Sequence, residues 1–245
     1  AGLASTGKIP VFAAIAAFVT NRNYEAFRND IAYMGQNVKI VGRNGGITYS
    51  DLGPTHYSLE DYAIIRMLPG VVVLSPQDPG EIREAAKAMI EHDGPVYMRI
   101  GGPSIPDLFP QAPFTIGEGR MIREGSRATV VTTGTITPEV VVAVQRLADD
   151  GIDVDLIGMP TVDPVDAALI RASAHRTGRV ITVEEHYTRG GLSAAVGEAL
   201  ATSGIPVHAI GLPHEHIVTG TYPGLLARYA LDAAGLDERI RLLVR

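Results

Sequence analysis

One stretch of the chain combines the residue types that a reactive site needs. The apolar run Val38-Lys-Ile-Val41 leads into a polar, glycine-rich stretch that contains Asn44 and Asp51 and ends in Gly53-Pro-Thr-His56. An imidazole held after a proline turn could donate a hydrogen bond to a substrate oxygen or transfer a proton. The spacing leaves open the alternative that His56 packs locally or caps the helix that follows.

Two other groups of ionisable residues give weaker signals. The pair His214-Glu-His216 offers two imidazoles, but no third ligand lies nearby in the sequence, which disfavours a metal site. Glu184-Glu-His186 could form an acid–base cluster. Its position at the end of a predicted strand favours a role in domain packing or in a subunit interface instead.

Short apolar runs alternate with helical stretches along the chain, which is typical of an α/β fold. The alternation stops at residues 101–114, which are dense in Pro and Gly, and then restarts. We therefore predict two successive three-layer α/β domains with mainly parallel sheets, at residues 1–100 and 115–245, joined by a linker at 101–114. Such sheets place ligands at the carboxyl ends of their strands.

Local signals predict where several helices begin and end. Ser58-Leu-Glu-Asp61 resembles a capping box, and Asp78-Pro-Gly-Glu81 offers an N-cap followed by a proline. A further helix is predicted over 224–234. The segment 1–7 resembles the last turn of a helix closed by a glycine, so we expect the chain to begin inside an element.

Composition argues against several classes of function. The net charge of −6 disfavours nucleic-acid binding, which needs clustered Lys and Arg. Because the sequence has no Cys, we exclude disulfides, thiolate catalysis and Cys-ligated metals. No apolar run approaches the roughly 20 residues that span a bilayer, and no signal-peptide pattern opens the sequence. We predict a cytoplasmic protein.

Taken together, the motifs resemble the pyrimidine-binding and C-terminal domains of the transketolase family. The resemblance covers the whole chain in the family's order. It is closest to the small subunit of split transketolases, in which a separate, larger chain carries the diphosphate-binding domain. The stretches that carry the resemblance are Phe12–Arg28, Asn37–Gly42, Gly53–His56, 69–78, 93–99, Val183–His186 and 190–192.

The resemblance implies roles for individual residues. Phe18 matches the aromatic residue that packs against the cofactor's aminopyrimidine ring, and Ile15 matches a second residue that lines it. His56 matches a catalytic His that contacts the donor sugar, and Arg99 matches the residue that holds the substrate phosphate. A place in the core is the alternative for Phe18, and a structural ion pair is the alternative for Arg99.

Three positions depart from the family pattern in the polar stretch. Asn44 stands where the family has a His, and Leu52 stands where it has an acidic residue, with the nearest acid at Asp51. Tyr57 replaces the usual Gln after the His. We expect Asn44 and Asp51 to face the substrate, and we expect a donor or acceptor other than the usual pentose phosphates.

The resemblance also implies a cofactor and a partner. Thiamine diphosphate would be shared with the larger subunit, which would hold Mg²⁺ or Ca²⁺, and the assembly would contain two copies of each chain. The family's cofactor-activating Glu would lie upstream of Ala1, so we expect this chain to be an N-terminally truncated piece without it. The implied reaction moves a two-carbon ketol unit from a ketose phosphate to an aldose phosphate.

Two alternatives to this function stay open. The first is a 1-deoxyxylulose-5-phosphate synthase or the β-type subunit of a 2-oxo acid dehydrogenase, either of which would use a 2-oxo acid donor. The second is a non-catalytic assembly or regulatory homologue, which Asn44, Leu52 and the missing Glu would fit.

Overall fold

Two five-stranded sheets organise the chain in a computed structural model that describes residues 1–109 and 113–245. The strands of these residues are β1 (Val11–Ile15), β2 (Lys39–Arg43), β3 (Val72–Leu74), β4 (Val96–Arg99), β5 (Arg120–Arg123), β6 (Thr129–Thr132), β7 (Asp155–Gly158), β8 (Thr161–Asp163), β9 (Val180–Tyr187) and β10 (Val207–Leu212).

Helices lie between most of these strands. They are α1 (Tyr24–Ala26), α2 (Asp61–Ile65), α3 (Pro79–Glu91), α4 (Thr137–Asp149), α5 (Ala167–Thr177), α6 (Leu192–Ala199), α7 (Tyr222–Arg228) and α8 (Ala233–Leu243), with π-helical turns at Phe18–Arg22 and Phe27–Tyr33 and 3-10 turns at Ala4–Thr6, Gly53–Thr55 and Gly134–Ile136. Within the described part of the chain, no helix is both long and apolar enough to cross a membrane.

The first sheet has the strand order β1-β2-β4-β3-β8. Its first four strands are parallel, whereas β8 runs antiparallel to β3 and comes from the second half of the chain. Successive residues of β3 face opposite sides, so Val73 packs in the apolar cluster with α2 while Leu74 packs in the cluster with α3. Helices therefore cover both faces of this sheet.

The second sheet has the strand order β10-β9-β6-β7-β5, and β5 is its antiparallel strand. Val130 packs in the cluster that contains residues of α4 and α8, and Val131 packs on the other face with residues of α5 and α6. Each sheet thus forms the middle of three layers, which confirms the predicted fold class. The sequence pattern does not predict the antiparallel edge strands β5 and β8, which are only four and three residues long.

The predicted linker at 101–114 lies between the two sheets in sequence. We use first domain and second domain for the parts of the chain before and after it. Residues 110–112 of this linker lie outside the described residues, and its exact limits stay a prediction.

The helix predicted over 224–234 is wrong in its second half. Helix α7 ends at Arg228, and Ala230 then adopts a left-handed backbone angle, φ 51°. Asp232 starts α8 by accepting a hydrogen bond from the Gly235 amide at 3.0 Å. An Asp that caps a new helix therefore ends what the apolar pattern alone presents as one continuous helix.

The capping-box prediction at Ser58 is also wrong, whereas the Asp78 prediction is confirmed. Helix α2 begins at Asp61 and has Glu60 at its N-cap without a capping side chain. At α3, Asp78 accepts from the Glu81 amide at 2.6 Å, and Pro79 follows it. Asp61 is thus free of a capping role.

Strands β1 and β2 end at the same level, because Ile15 is paired with Arg43 in the parallel register. The helical turn that begins at Phe18 and the polar segment of residues 44–60, which we call the site loop, therefore leave the sheet side by side. On the outer side, β1 is the edge strand, and Val11 and Phe12 are half exposed.

The start of β2 is fixed by a buried lysine. Lys39 is 0% exposed, and its Nζ donates to the carbonyl oxygens of His92 and Gly94, both at 2.7 Å. Burial lowers the pKa of Lys39 to about 8, and nearby Asp93 opposes that shift. The ammonium therefore ties β2 to the turn between α3 and β4.

We expect Lys39→Met to lower the free energy of unfolding by about 2–4 kcal/mol, because two buried carbonyl groups lose their donor. Urea denaturation followed by circular dichroism measures this. The matched control is Lys87→Met, since Lys87 is exposed and pairs with Glu84 within one helix. That change should cost less than about 0.5 kcal/mol, and equal losses in both variants would refute the anchoring role of Lys39.

Candidate active site

Three rings meet where β1 and β2 end. The ring centroids of Phe18 and His56 lie 5.1 Å apart at an interplanar angle of 58°. Tyr49 meets His56 edge-on at 5.4 Å. Phe18 and His56 are both partly exposed, so a ligand at the strand ends could contact them together. The structure therefore brings the two principal predicted site residues into one cluster.

The position of His56 follows from the turn before it. Gly53–Thr55 forms a 3-10 turn, and the His56 amide donates to the Gly53 carbonyl at 2.9 Å. The Thr55 hydroxyl lies 2.9 Å from Nδ1 of His56, which leaves Nε2 as the ring nitrogen for a ligand. An imidazole held in this way can donate or accept a proton at one defined atom.

Two members of the cluster are not identified by the sequence. The guanidinium carbon of Arg22 lies over the Phe18 ring, 4.5 Å from its centroid, which is a cation–π arrangement. The spacing of four residues on a helical segment could have predicted this contact. For Tyr49, its place in the loop before His56 is the only signal in the sequence.

The other predicted site residues lie on the same strand ends and loop. Ile15 is the last residue of β1 and is partly buried. Asn44 has a left-handed backbone, φ 55°, and its amide packs against Gly102, where an added Cβ would lie 2.3 Å from Nδ2. Asp51 and Leu52 are exposed, Leu52 by 45%. Their roles stay predictions.

Arg99 is buried in an ion pair. Its side chain is 6% exposed, and Nη1 donates to Oδ1 of Asp61, which is 0% exposed, at 3.0 Å. Nη2 donates to the backbone carbonyl of Glu185 at 2.5 Å. Although burial alone lowers the pKa of Arg99, the Asp61 carboxylate raises it above the ordinary value. Arg99 thus forms the structural ion pair that the sequence leaves open as its alternative, and this geometry lends no support to phosphate binding.

Asp61 is the charged residue that sequence reasoning misses. Its second oxygen accepts from the Tyr97 hydroxyl at 2.7 Å, and the Tyr62 ring lies under the Arg99 guanidinium at 4.4 Å. The signal that could have revealed it is an Asp within the apolar run Asp-Tyr-Ala-Ile-Ile. A carboxylate on the buried side of a helix needs a cationic partner.

The Glu184-Glu-His186 group lies at the contact between the two domains. His186 stacks on Tyr62 of the first domain, with centroids 5.1 Å apart and planes within 12°. Oε1 of Glu185 accepts from the Ile47 amide at 2.6 Å, and Oε2 accepts from the Tyr222 hydroxyl at 2.8 Å. These contacts confirm the interpretation as domain packing for Glu185 and His186.

Burial raises the pKa of Glu185 to about 7, although Arg99, the Tyr222 hydroxyl and the Ile47 amide all favour its ionised form. The carboxylate therefore depends on these three groups to stay ionised.

The two histidines near the C-terminus show no metal-binding geometry. His214 packs edge-on against Tyr187 at 5.4 Å. Across residues 1–109 and 113–245, no group of three or more His, Cys, Asp or Glu residues is arranged to hold a metal ion.

Family models match both domains of the chain. One described as transketolase, pyrimidine binding domain, matches residues 1–105, and one described as transketolase, C-terminal domain, matches residues 117–236. A solved structure described as split gene transketolase, inactive β4 tetramer, superimposes with a TM-score of 0.92 at 35% identity. It covers 99% of this chain and 78% of that one.

Two relatives of similar identity differ in how much of their own length this chain covers. One of the subunits of the apulose-4-phosphate transketolase of Phocaeicola vulgatus is 37% identical over 238 residues, which cover 96% of this chain and 76% of that protein. The 1-deoxy-D-xylulose-5-phosphate synthase of Syntrophotalea carbinolica is 38% identical over 248 residues, or 98% of this chain. The chain spans only 38% of the length of that synthase.

We expect Asp61→Asn to lower the free energy of unfolding by about 3–5 kcal/mol, because it leaves the buried Arg99 charge without its partner. Thermal and urea denaturation measure this. As a control, Asp153→Asn removes the same charge from a 2.8 Å pair with Arg123 whose side chains are 54% and 35% exposed. That pair should be worth less than about 1 kcal/mol. A small effect at Asp61, comparable to that at Asp153, would contradict the assignment.

Proposed function

Since this chain belongs to the transketolase family, we propose that it is the small subunit of a split, thiamine-diphosphate-dependent transketolase. Its reaction moves a two-carbon ketol unit from a ketose phosphate to an aldose phosphate. The observation that carries this proposal is the 5.1 Å contact between Phe18 and His56 at the strand ends. The likeness to the apulose-4-phosphate transketolase subunit, most of whose length this chain spans, supports it.

The residues at these strand ends fit the pyrimidine ring of the cofactor. Phe18 offers a partly exposed aromatic ring, and Ile15 offers an aliphatic side chain three residues before it. Offset stacking on such a ring adds roughly 0.5–1.5 kcal/mol to the burial of apolar area. Thiamine diphosphate, when bound, supplies the nucleophilic carbon that ketol transfer requires.

His56 acts on the substrate in this proposal. Its ring lies beside Phe18, so a sugar bound next to the pyrimidine would come within reach of Nε2. We assign it a hydrogen bond to a donor-sugar oxygen and proton transfer at that oxygen. Asn44 and Asp51 belong to the site loop, and in this proposal both face the same substrate. Because Leu52 and Asn44 replace the family's usual residues, the sugars differ from the usual pentose phosphates.

The activity requires a partner chain. That larger chain holds the diphosphate and its Mg²⁺ or Ca²⁺. Two copies of each chain assemble in the cytoplasm, and the description of the solved relative as an inactive β4 tetramer supports both self-association and dependence on a partner.

A synthase that uses a 2-oxo acid is the second candidate, because a 1-deoxy-D-xylulose-5-phosphate synthase is 38% identical to this chain. This chain covers 76% of the apulose-4-phosphate transketolase subunit but only 38% of the synthase, which favours the split transketolase. A non-catalytic homologue is the third candidate.

Donor preference tests the proposed reaction. The protein as its gene encodes it is combined with the larger subunit, thiamine diphosphate and Mg²⁺. We expect turnover with a ketose phosphate donor and an aldose phosphate acceptor, measured by product chromatography. Turnover with pyruvate alone would select the synthase, and no turnover with either donor would select the non-catalytic homologue.

Phe18→Ala should weaken thiamine diphosphate binding by the reconstituted complex about tenfold, because a stacked aromatic ring is lost. Isothermal titration calorimetry measures this affinity. The control is Phe114→Ala, since Phe114 packs against the apolar cluster that contains Met98, to which Phe18 does not belong. It should leave cofactor affinity within about twofold of wild type. Unchanged affinity in the Phe18 variant would remove Phe18 from the cofactor site.

A further inference from the structure

The apolar side chains of the site loop lie in the core of the second domain. Ile47, Tyr57 and Leu59 belong to the same cluster as Val130 of β6 and Val144 of α4. Each of the three loop residues is at most 4% exposed. The loop that carries His56 therefore begins at β2 and ends at α2 of the first domain but is packed into the neighbouring domain.

Glu185 is the polar attachment at the start of this loop. Its side chain is 3% exposed and accepts from the Ile47 amide and the Tyr222 hydroxyl with one oxygen each. The loop passes so close that a Cβ on Gly46 would lie 2.2 Å from Oε1, and Gly46 also has a left-handed backbone, φ 65°. Only glycine satisfies both conditions at this position.

Residues 218–220 hold the other end of the loop. The Tyr57 hydroxyl donates to the Val218 carbonyl at 2.9 Å, and the Gly220 amide donates to the Ser50 carbonyl at 3.3 Å. Gly53 has φ 73° and lies against Thr219, whose Oγ1 would be 2.2 Å from an added Cβ. Tyr49 and His56 lie between these two attachments.

We propose that Glu185 is a positioning residue for the ketol transfer, acting through the Ile47 amide to hold Tyr49 and His56 against Phe18. Tyr222 holds the second carboxylate oxygen and so fixes the direction in which Glu185 points. This inference rests on the proposed function. The second domain thus contributes to the reaction without contacting the substrate, because a shift of about 1 Å in a reacting group can cost a hundredfold in rate.

The neighbouring Glu184 provides a matched control. It is equally buried and lies on the same strand, but its oxygens accept from the Leu192 and Ser193 amides at 2.7 and 2.9 Å. Those bonds cap α6 within the second domain. Loss of Glu184 should therefore weaken the fold and leave the site loop in place.

Steady-state kinetics of the reconstituted complex test the proposal. We expect Glu185→Ala to lower kcat about 10–100-fold, with the affinity for thiamine diphosphate within about twofold of wild type, since Phe18 lies on a different segment. Glu185→Gln should recover most of kcat, because its amide oxygen can still accept from Ile47. Glu184→Ala should keep the kcat of wild type. Equal losses of kcat at both positions, or none at Glu185, would overturn the proposal.

Tyr222→Phe serves as the test variant if Glu185→Ala does not fold. It removes a single hydroxyl group, so we expect it to keep the fold. We expect a several-fold loss of kcat in this variant, because one hydrogen bond to the Glu185 carboxylate is lost. When Glu185→Ala stays folded, the double variant with Tyr222→Phe should lose no more kcat than Glu185→Ala alone, since both changes act through the Glu185 carboxylate. Full additivity would contradict the shared mechanism.

Amide hydrogen exchange of the chain alone separates this inference from the proposed function. We expect the peptide over residues 44–58 to exchange faster in Glu185→Ala than in wild type or Glu184→Ala. Unchanged exchange there would reject the positioning role whether or not the complex is active. Absence of ketol transfer by the wild-type complex would reject the proposed function instead.

Discussion

The buried charge of Arg99 is the constraint on which the contact between the domains depends. A guanidinium stays protonated at any physiological pH, so a site that is 6% exposed must supply a counter-charge and hydrogen-bond acceptors. Asp61 supplies the charge from α2, and the Glu185 carbonyl supplies an acceptor from β9. One side chain at the end of β4 therefore fixes a helix of its own domain and a strand of the next one.

The candidate site divides its tasks between exposed and buried groups. Phe18 and His56 are partly open to solvent, whereas Asp61, Arg99 and Glu185 are buried. The buried groups are paired with one another and with backbone groups, which rigidifies the scaffold under the rings. A reactive loop held in this way needs little internal structure of its own, and the site loop has a short 3-10 turn and a single β-bridge between Gly46 and Ser58.

The fold and the pair Phe18 and His56 can be predicted from the sequence, because short local patterns indicate both. Alternating apolar runs reveal the sheets, and a proline turn after a buried strand singles out His56. Phe18 emerges from its place in a family pattern at the end of β1. Tyr49 leaves no comparable signal, and the break at Ala230 is hidden inside an apolar pattern that continues across it.

Most of the missed interactions join distant parts of the chain. Asp61 looks like a capping residue until the fold brings it to Arg99, 38 residues away. Glu185 meets Ile47 across 138 residues and Tyr222 across 37. No periodicity or spacing encodes such pairs, because they depend on how two sheets are oriented. The burial of Arg99 belongs to the same class.

Strand β8 limits where the chain can be cut to separate the two domains. Its residues Thr161–Asp163 lie in the second domain by sequence, but they pair with β3 and form the outer edge of the first sheet. A cut at the proline-rich linker would therefore strip a strand from the first sheet and leave the backbone groups of β3 unpaired. Chimaeras that exchange the two domains between relatives have to carry this strand with the first sheet, or match its sequence to the new neighbour.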